Sequence, residues 1–115
     1  MNAHEPGEFE TLLQRWLQTV QEVERGYALT FDDYLNDLDV RHSIRLRLHE
    51  SGNAGNSRTF ATLRNALADA DQRFRAATVS VGECVWGEAN AREEGWTAEG
   101  EWYYYRVPIT WREAW

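Results

Sequence analysis

"TVSVGECV", residues 78–85, decides how this chain is to be folded. Its β-branched residues and Gly82 read as a strand. A heptad pattern nevertheless runs straight through it. Phe60, Leu63, Leu67, Ala70, Phe74, Ala77, Val81 and Cys84 are spaced alternately three and four apart. Periodicity over so many positions outweighs the composition of one short stretch, so the reading is a single helix over about 57–85. Its roughly 28 residues would span about 42 Å at 1.5 Å each. Such a helix overshoots its partners, and either the C-terminal tail or a second chain must cover its end.

Working back toward the N-terminus, two more helices are expected. Phe9, Leu12, Leu13, Trp16, Leu17, Val20 and Val23 fall on one face of a helix over about 7–25. Glu8 and Glu10 suit its N-terminal dipole, Arg25 its C-terminal one, and Gly26 can supply the left-handed turn that ends it. Thr30 and Asp33 then form an Asp version of the capping box, opening a helix over about 30–50 with Phe31, Tyr34, Leu35 and Leu38 on its apolar face. Within it "SIRLRL", residues 43–48, alternates like a strand. A lone strand there has no evident partner, so helix is preferred. "SGNAGNS", residues 51–57, reads as a loop, with Asn56 or Ser57 able to cap the third helix.

Working forward, periodicity stops after Trp86-Gly87. Residues 86–115 read as an irregular aromatic tail, with at most a helical turn near Asn90–Glu94 and a short helix or extended piece near 99–107. Pro108 breaks helix and central strand alike. The whole is one domain of 115 residues: an all-α three-helix bundle with a long third helix, covered by that tail. A chain of this length buries roughly 65% of its unfolded surface and needs no staple.

Composition narrows the chemistry. The single cysteine, Cys84, makes neither an internal disulfide nor a zinc cage, which suits a reducing cytoplasm. The acidic start MNAHEPGEFE lacks the pattern of a secretory signal, and no apolar run is long enough to cross a bilayer. A cytoplasmic location is the expectation. All 12 basic residues are Arg and 13 residues are Ala, a GC-rich coding bias consistent with a bacterial source. Without Lys there is no Schiff base and no phosphate-loop lysine. Net charge is −7, yet residues 40–76 carry seven Arg against three acids. That is not the profile of a general nucleic-acid binder, so nucleic acid is an unlikely partner, though a local anion site stays open.

Four groups of residues are candidates for function. Asp32, Asp33, Asp37, Asp39 and His42 contain half of a carboxylate–histidine metal motif, but no helix offers the other half. They are read as a solvated acidic face, and no metal or cofactor is assigned. Cys84 lies on the apolar face as a small hydrophobe, and no Ser sits in a nucleophile-elbow pattern. Arg41, Arg45 and Arg58, with Arg47 and Arg64, gather around the 51–57 loop if helices two and three form a hairpin, and can bind an anion or nucleic acid there. Finally, five of the six Trp lie in the last 30 residues. Trp86, Trp96 and Trp102 are assigned to the core, whereas Tyr103, Tyr105, Arg106, Trp111 and Trp115 are the partner-binding candidates. Trp111 and Trp115 lead, because the end of a chain is least tied down. The function expected is a non-catalytic protein-interaction or regulatory module, working through an unidentified protein partner or a homodimer and not at a membrane. The alternatives are the Arg anion site and, behind it, a metal enzyme using the acidic group.

Overall fold

The computed structural model describes residues 6–51 and 58–115. The chain is predominantly α-helical, but it is not a three-helix bundle. Helix α1 spans Pro6–Glu24, α2 Phe31–Ser51 and α3 Arg58–Ala76; a strand β1 comes next at Thr78–Ser80, then α4 at Glu88–Glu94. A 3-10 helix η1 at Trp102–Tyr105 leads into strand β2 at Arg106–Pro108, and a second 3-10 helix, η2, covers Ile109–Ala114. Of the loop read from "SGNAGNS", residues 52–57 lie outside the described residues, as do the proposed Asn56 and Ser57 caps.

The long third helix is therefore corrected: it ends at Ala76, not near residue 85. Ala77 donates its N–H to both the Arg73 and Phe74 carbonyls (3.2 and 3.1 Å), the shared bond of a closing turn. The Thr78 hydroxyl then occupies the Phe74 carbonyl at 2.8 Å, in the position of a further helical N–H. From there the chain extends, and β1 pairs antiparallel with β2 in the register Thr78↔Pro108, Val79↔Val107, Ser80↔Arg106. Pairing continues past the strand, because Val81 and Val85 donate their N–H groups to the carbonyls of Tyr105 and Tyr104 (both 2.8 Å). The β-branched side chains of "TVSV" favour this extended backbone, and Pro108 is tolerated because a two-stranded ribbon has only edges.

The first two helices obey local rules. Gly26 leaves α1 at φ 98°, a conformation that suits glycine, and the Tyr27 N–H reaches back to the Glu22 carbonyl at 2.8 Å. The Thr30–Asp33 box forms in both directions: Asp33 N–H donates to Thr30 Oγ1 (3.1 Å), and Thr30 N–H donates to Asp33 Oδ2 (3.2 Å). The alternating stretch 43–48 lies inside α2, with Ile44 fully buried.

The core lies where α1, α2 and α3 meet the aromatic segment. Phe9, Leu13, Trp16, Val20 and Val23 of α1 are buried, as are Phe60, Leu67, Ala70 and Phe74 of α3. Trp16 sits against Phe74 with ring centroids 4.9 Å apart and donates its indole N–H to Asp71 (3.0 Å). The tail, expected to be irregular, instead carries α4, two 3-10 helices and β2, and much of it is built into this core. Tyr103, Tyr104 and Val107 are buried, and Trp86, Trp96 and Trp102 pack partly buried against it. Tyr34 of α2 holds the ribbon directly, donating its hydroxyl to the Arg106 carbonyl at 2.6 Å.

Candidate functional site

Two surface features stand out, one at the end of the chain and one beside α4. The first is aromatic. Trp111 of η2 is seated edge-on against Tyr27 and Tyr34, at centroid distances of 5.6 and 5.1 Å. On its outer side it meets Phe31 at 6.3 Å, and Phe31 in turn meets Trp115 at 5.5 Å. Phe31 is 39% exposed and Trp115 42% exposed. With Ala114 these three rings line an apolar groove of about 300 Å³. The segment carrying them is tied down, contrary to the expectation for a chain end: Ile109 N–H donates to the Ala77 carbonyl (3.2 Å) and the Thr110 hydroxyl to the Gly26 carbonyl (2.9 Å). Phe31 is the member that sequence reading placed elsewhere, on the inner face of α2. Its position immediately after the Thr30 cap turns it outward at the helix start.

The other partner-binding candidates occupy different settings. Tyr103 is fully buried with its hydroxyl 2.7 Å from His42 Nδ1. Tyr105 is half-buried, its hydroxyl directed to the Trp96 carbonyl at 3.4 Å. Arg106 turns back on the ribbon, donating from Nε to Thr78 Oγ1 (2.8 Å) and from Nη2 to the carbonyls of Thr78 (3.0 Å) and Arg75 (3.2 Å). Only Trp111 and Trp115 of the five share the groove.

The second feature is a cleft of about 520 Å³ between α2 and α4. Asp39, His42 and Ser43 contribute from α2, one helical turn apart, and Asn90 and Glu94 from α4. Trp86, Trp96 and Tyr104 supply the aromatic walls. Trp96 and Tyr104 lie 4.6 Å apart at 42°, and the His42 ring meets Trp96 edge-on at 5.7 Å. The Tyr104 hydroxyl donates to Asp39 Oδ1 at 2.7 Å; burial first, and this bond second, drive its pKa above the ordinary phenol range. Burial likewise holds the His42 imidazole below its ordinary value, so it is neutral at pH 7.

The acidic group is dispersed rather than gathered. Asp33 is used by the cap, Asp37 accepts from the Tyr27 hydroxyl (2.6 Å) on the α1 side, and Asp39 turns to Tyr104. Burial raises the Asp37 carboxyl above its usual range. Among the described residues no three of His, Cys, Asp or Glu are placed as metal ligands. Cys84 is free and buried, and burial pushes its thiol up.

Of the anion-site candidates, Arg41 and Arg45 are engaged by carboxylates of the chain itself. Arg41, 8% exposed, forms a two-pronged pair with Asp71, and Arg45 meets Glu101 at 3.1 Å. Both line an open groove with Leu46, Leu48 and His49. Arg58 is exposed at the first position of α3. Arg75, which sequence reading did not single out, stacks on Trp102 with its guanidinium 3.7 Å from the ring centroid.

No protein-family model matches the chain, and neither does any curated protein or solved structure. Among the described residues no helix is long and apolar enough to cross a membrane. What stands is a compact helical domain with an aromatic-rich C-terminal region, a free cysteine and no residue constellation for metal chemistry among the described residues.

Proposed function

We propose that the protein is a non-catalytic interaction module that receives one large apolar side chain of a partner protein in the groove of Phe31, Trp111, Ala114 and Trp115. One observation carries this reading: two large aromatic rings are held more than a third exposed on a third ring that is itself fastened to the core. Aromatic surface left in water costs free energy, and rigid Trp and aromatic anchors dominate binding hot spots. The groove volume, about 300 Å³, suits one or two large side chains and not a folded domain edge. Asp32, exposed beside Phe31, favours a basic residue next to the anchor.

The test is peptide display against the native protein with counter-selection on Trp115→Ala and Phe31→Ala. Enriched peptides should share a large apolar anchor, carry a basic neighbour, and lose binding to both variants. Peptides that bind the variants equally would remove the groove from the function. A concentration-dependent mass in sedimentation that Trp115→Ala abolishes would make the partner a second copy of this chain.

A further inference from the structure

We propose that the cleft between α2 and α4 is a binding site for an organic cation, a protonated amine or a guanidinium group. The cleft shares no residue with the aromatic groove, so neither site depends on the other.

The charge of the lining comes first. Two carboxylates, Asp39 and Glu94, border the cleft and no Lys or Arg does. Arg45, whose charge reaches His42, is committed to Glu101 at 3.1 Å. Asp39 receives the Tyr104 hydroxyl on Oδ1, leaving Oδ2 without a hydrogen-bond or ion-pair partner among the described residues. Glu94 is exposed and likewise unpaired among them. His42 does not compensate, since burial keeps it neutral at pH 7.

Hydrogen-bonding capacity points the same way. Three donors of the lining are already engaged: the Tyr104 hydroxyl by Asp39, the Ser43 hydroxyl by the Asp39 carbonyl (3.0 Å), and one Asn90 Nδ2 hydrogen by the Trp86 carbonyl (2.7 Å). The unpaired indole N–H of Trp86 is itself closed off from solvent. What these residues retain is mostly acceptors: carboxylate oxygens, the Asn90 amide oxygen and the Ser43 hydroxyl oxygen, beside the second Asn90 N–H and His42 Nε2. A ligand that meets the two carboxylates must bring donors, and an ammonium or guanidinium brings nothing else.

The walls complete the match. The half-buried Trp96 ring borders the cleft, backed by the buried Tyr104 at 4.6 Å between centroids, and an aromatic ring face attracts a cation within about 6 Å. An anion would be repelled by both carboxylates, and a neutral apolar ligand would strip water from them without replacing it. A cation satisfies walls and rim together.

The test uses four probes: methylguanidinium and n-butylammonium, with N-methylurea and n-butanol as their uncharged counterparts. Binding is monitored by Trp emission and by amide and indole NMR shifts. The expected result is saturable binding of the cations alone, weakened by salt, with the largest shifts at Trp96 and its neighbours. Glu94→Gln, exposed and without a partner to lose, should leave the thermal midpoint unchanged and weaken binding roughly two- to fivefold. Trp96→Leu should weaken it further, by up to about thirtyfold, through loss of the ring face. Equal response to the uncharged counterparts, no saturable response to either cation, or no effect of Glu94→Gln on cation affinity would overturn the proposal. An arginine-containing tripeptide amide settles the source: if it binds more tightly than methylguanidinium the natural ligand is a protein side chain, and if more weakly a free amine or guanidine.

Discussion

Arg41 and Asp71 meet face to face in the middle of the helical layer: Nε donates to Oδ1 and Nη2 to Oδ2, both at 2.9 Å. The pair ties α2 to α3, and because Trp16 of α1 also donates to Asp71 Oδ1, three helices converge on one carboxylate. A buried guanidinium keeps its desolvation cost whether or not its partner is present, so removing the partner exposes that cost in full. Asp71→Ala is expected to destabilise the protein by about 3 kcal/mol. The double variant Arg41→Met with Asp71→Leu should lose less than Asp71→Ala alone, since no unpaired charge remains. Denaturant unfolding of the three proteins checks both statements.

Val81 carries the pairing of the aromatic segment beyond the ribbon through its N–H bond to the Tyr105 carbonyl. Proline at 81 removes that donor and leaves a carbonyl without its partner, a loss of about 1–3 kcal/mol. Val81→Pro should lower the unfolding midpoint, and near-UV circular dichroism should report looser packing of the Tyr103–Tyr105 cluster before global unfolding. Val81→Thr keeps the N–H and the β-branch and should retain the native signal.

His42 makes stability depend on pH in a stated direction. Burial depresses its folded pKa below the ordinary imidazole value of about 6.5. As pH falls through that value the unfolded chain takes up a proton that the folded one does not, so stability is lost. The contribution is complete above about pH 6.5 and has gone once pH falls below the lower, folded value. His42→Asn, which keeps a polar atom near Nδ1 for the Tyr103 hydroxyl, should flatten this limb. Asp37, its carboxyl raised by burial, acts with the opposite sign at lower pH, so the comparison is made against the wild type at each pH. Midpoints of both proteins measured at several pH values below about 6.5 give the answer.

Tryptophan emission distinguishes the exposed ring from the packed ones. Trp16 is fully buried and Trp86, Trp96, Trp102 and Trp111 are partly buried against the core, whereas Trp115 is 42% exposed. Native emission should therefore be blue-shifted, with a minor component open to acrylamide. Trp115→Phe should remove most of that quenchable component. A quenchable fraction that survives in the variant would place another indole in water.

Local rules were sufficient for α1 and for the start of α2. The apolar spacing from Phe9 to Val23, the left-handed turn at Gly26 and the reciprocal Thr30–Asp33 cap each depend on residues within a few positions of one another, so each could be read along the chain. The strand over Thr78–Ser80 could not. Its ladder partners, Arg106–Pro108, lie 26 to 30 residues away, and the inward packing of Val81 and Cys84 that a helical heptad implies is delivered here by an extended chain under the aromatic segment. The cleft was equally hidden, because Asp39 and His42 meet Asn90, Glu94 and Trp96 only once β1 and β2 have pulled the tail across α2. Sequence by itself determined which helical faces are apolar, where two helices begin or end, and that the last 30 residues are dense in Trp. Tertiary structure alone decided that this density is divided between core, cleft and an outward-facing groove. A hydrogen-bond ladder and a shared surface are set by which groups approach one another in space, whatever their separation along the chain.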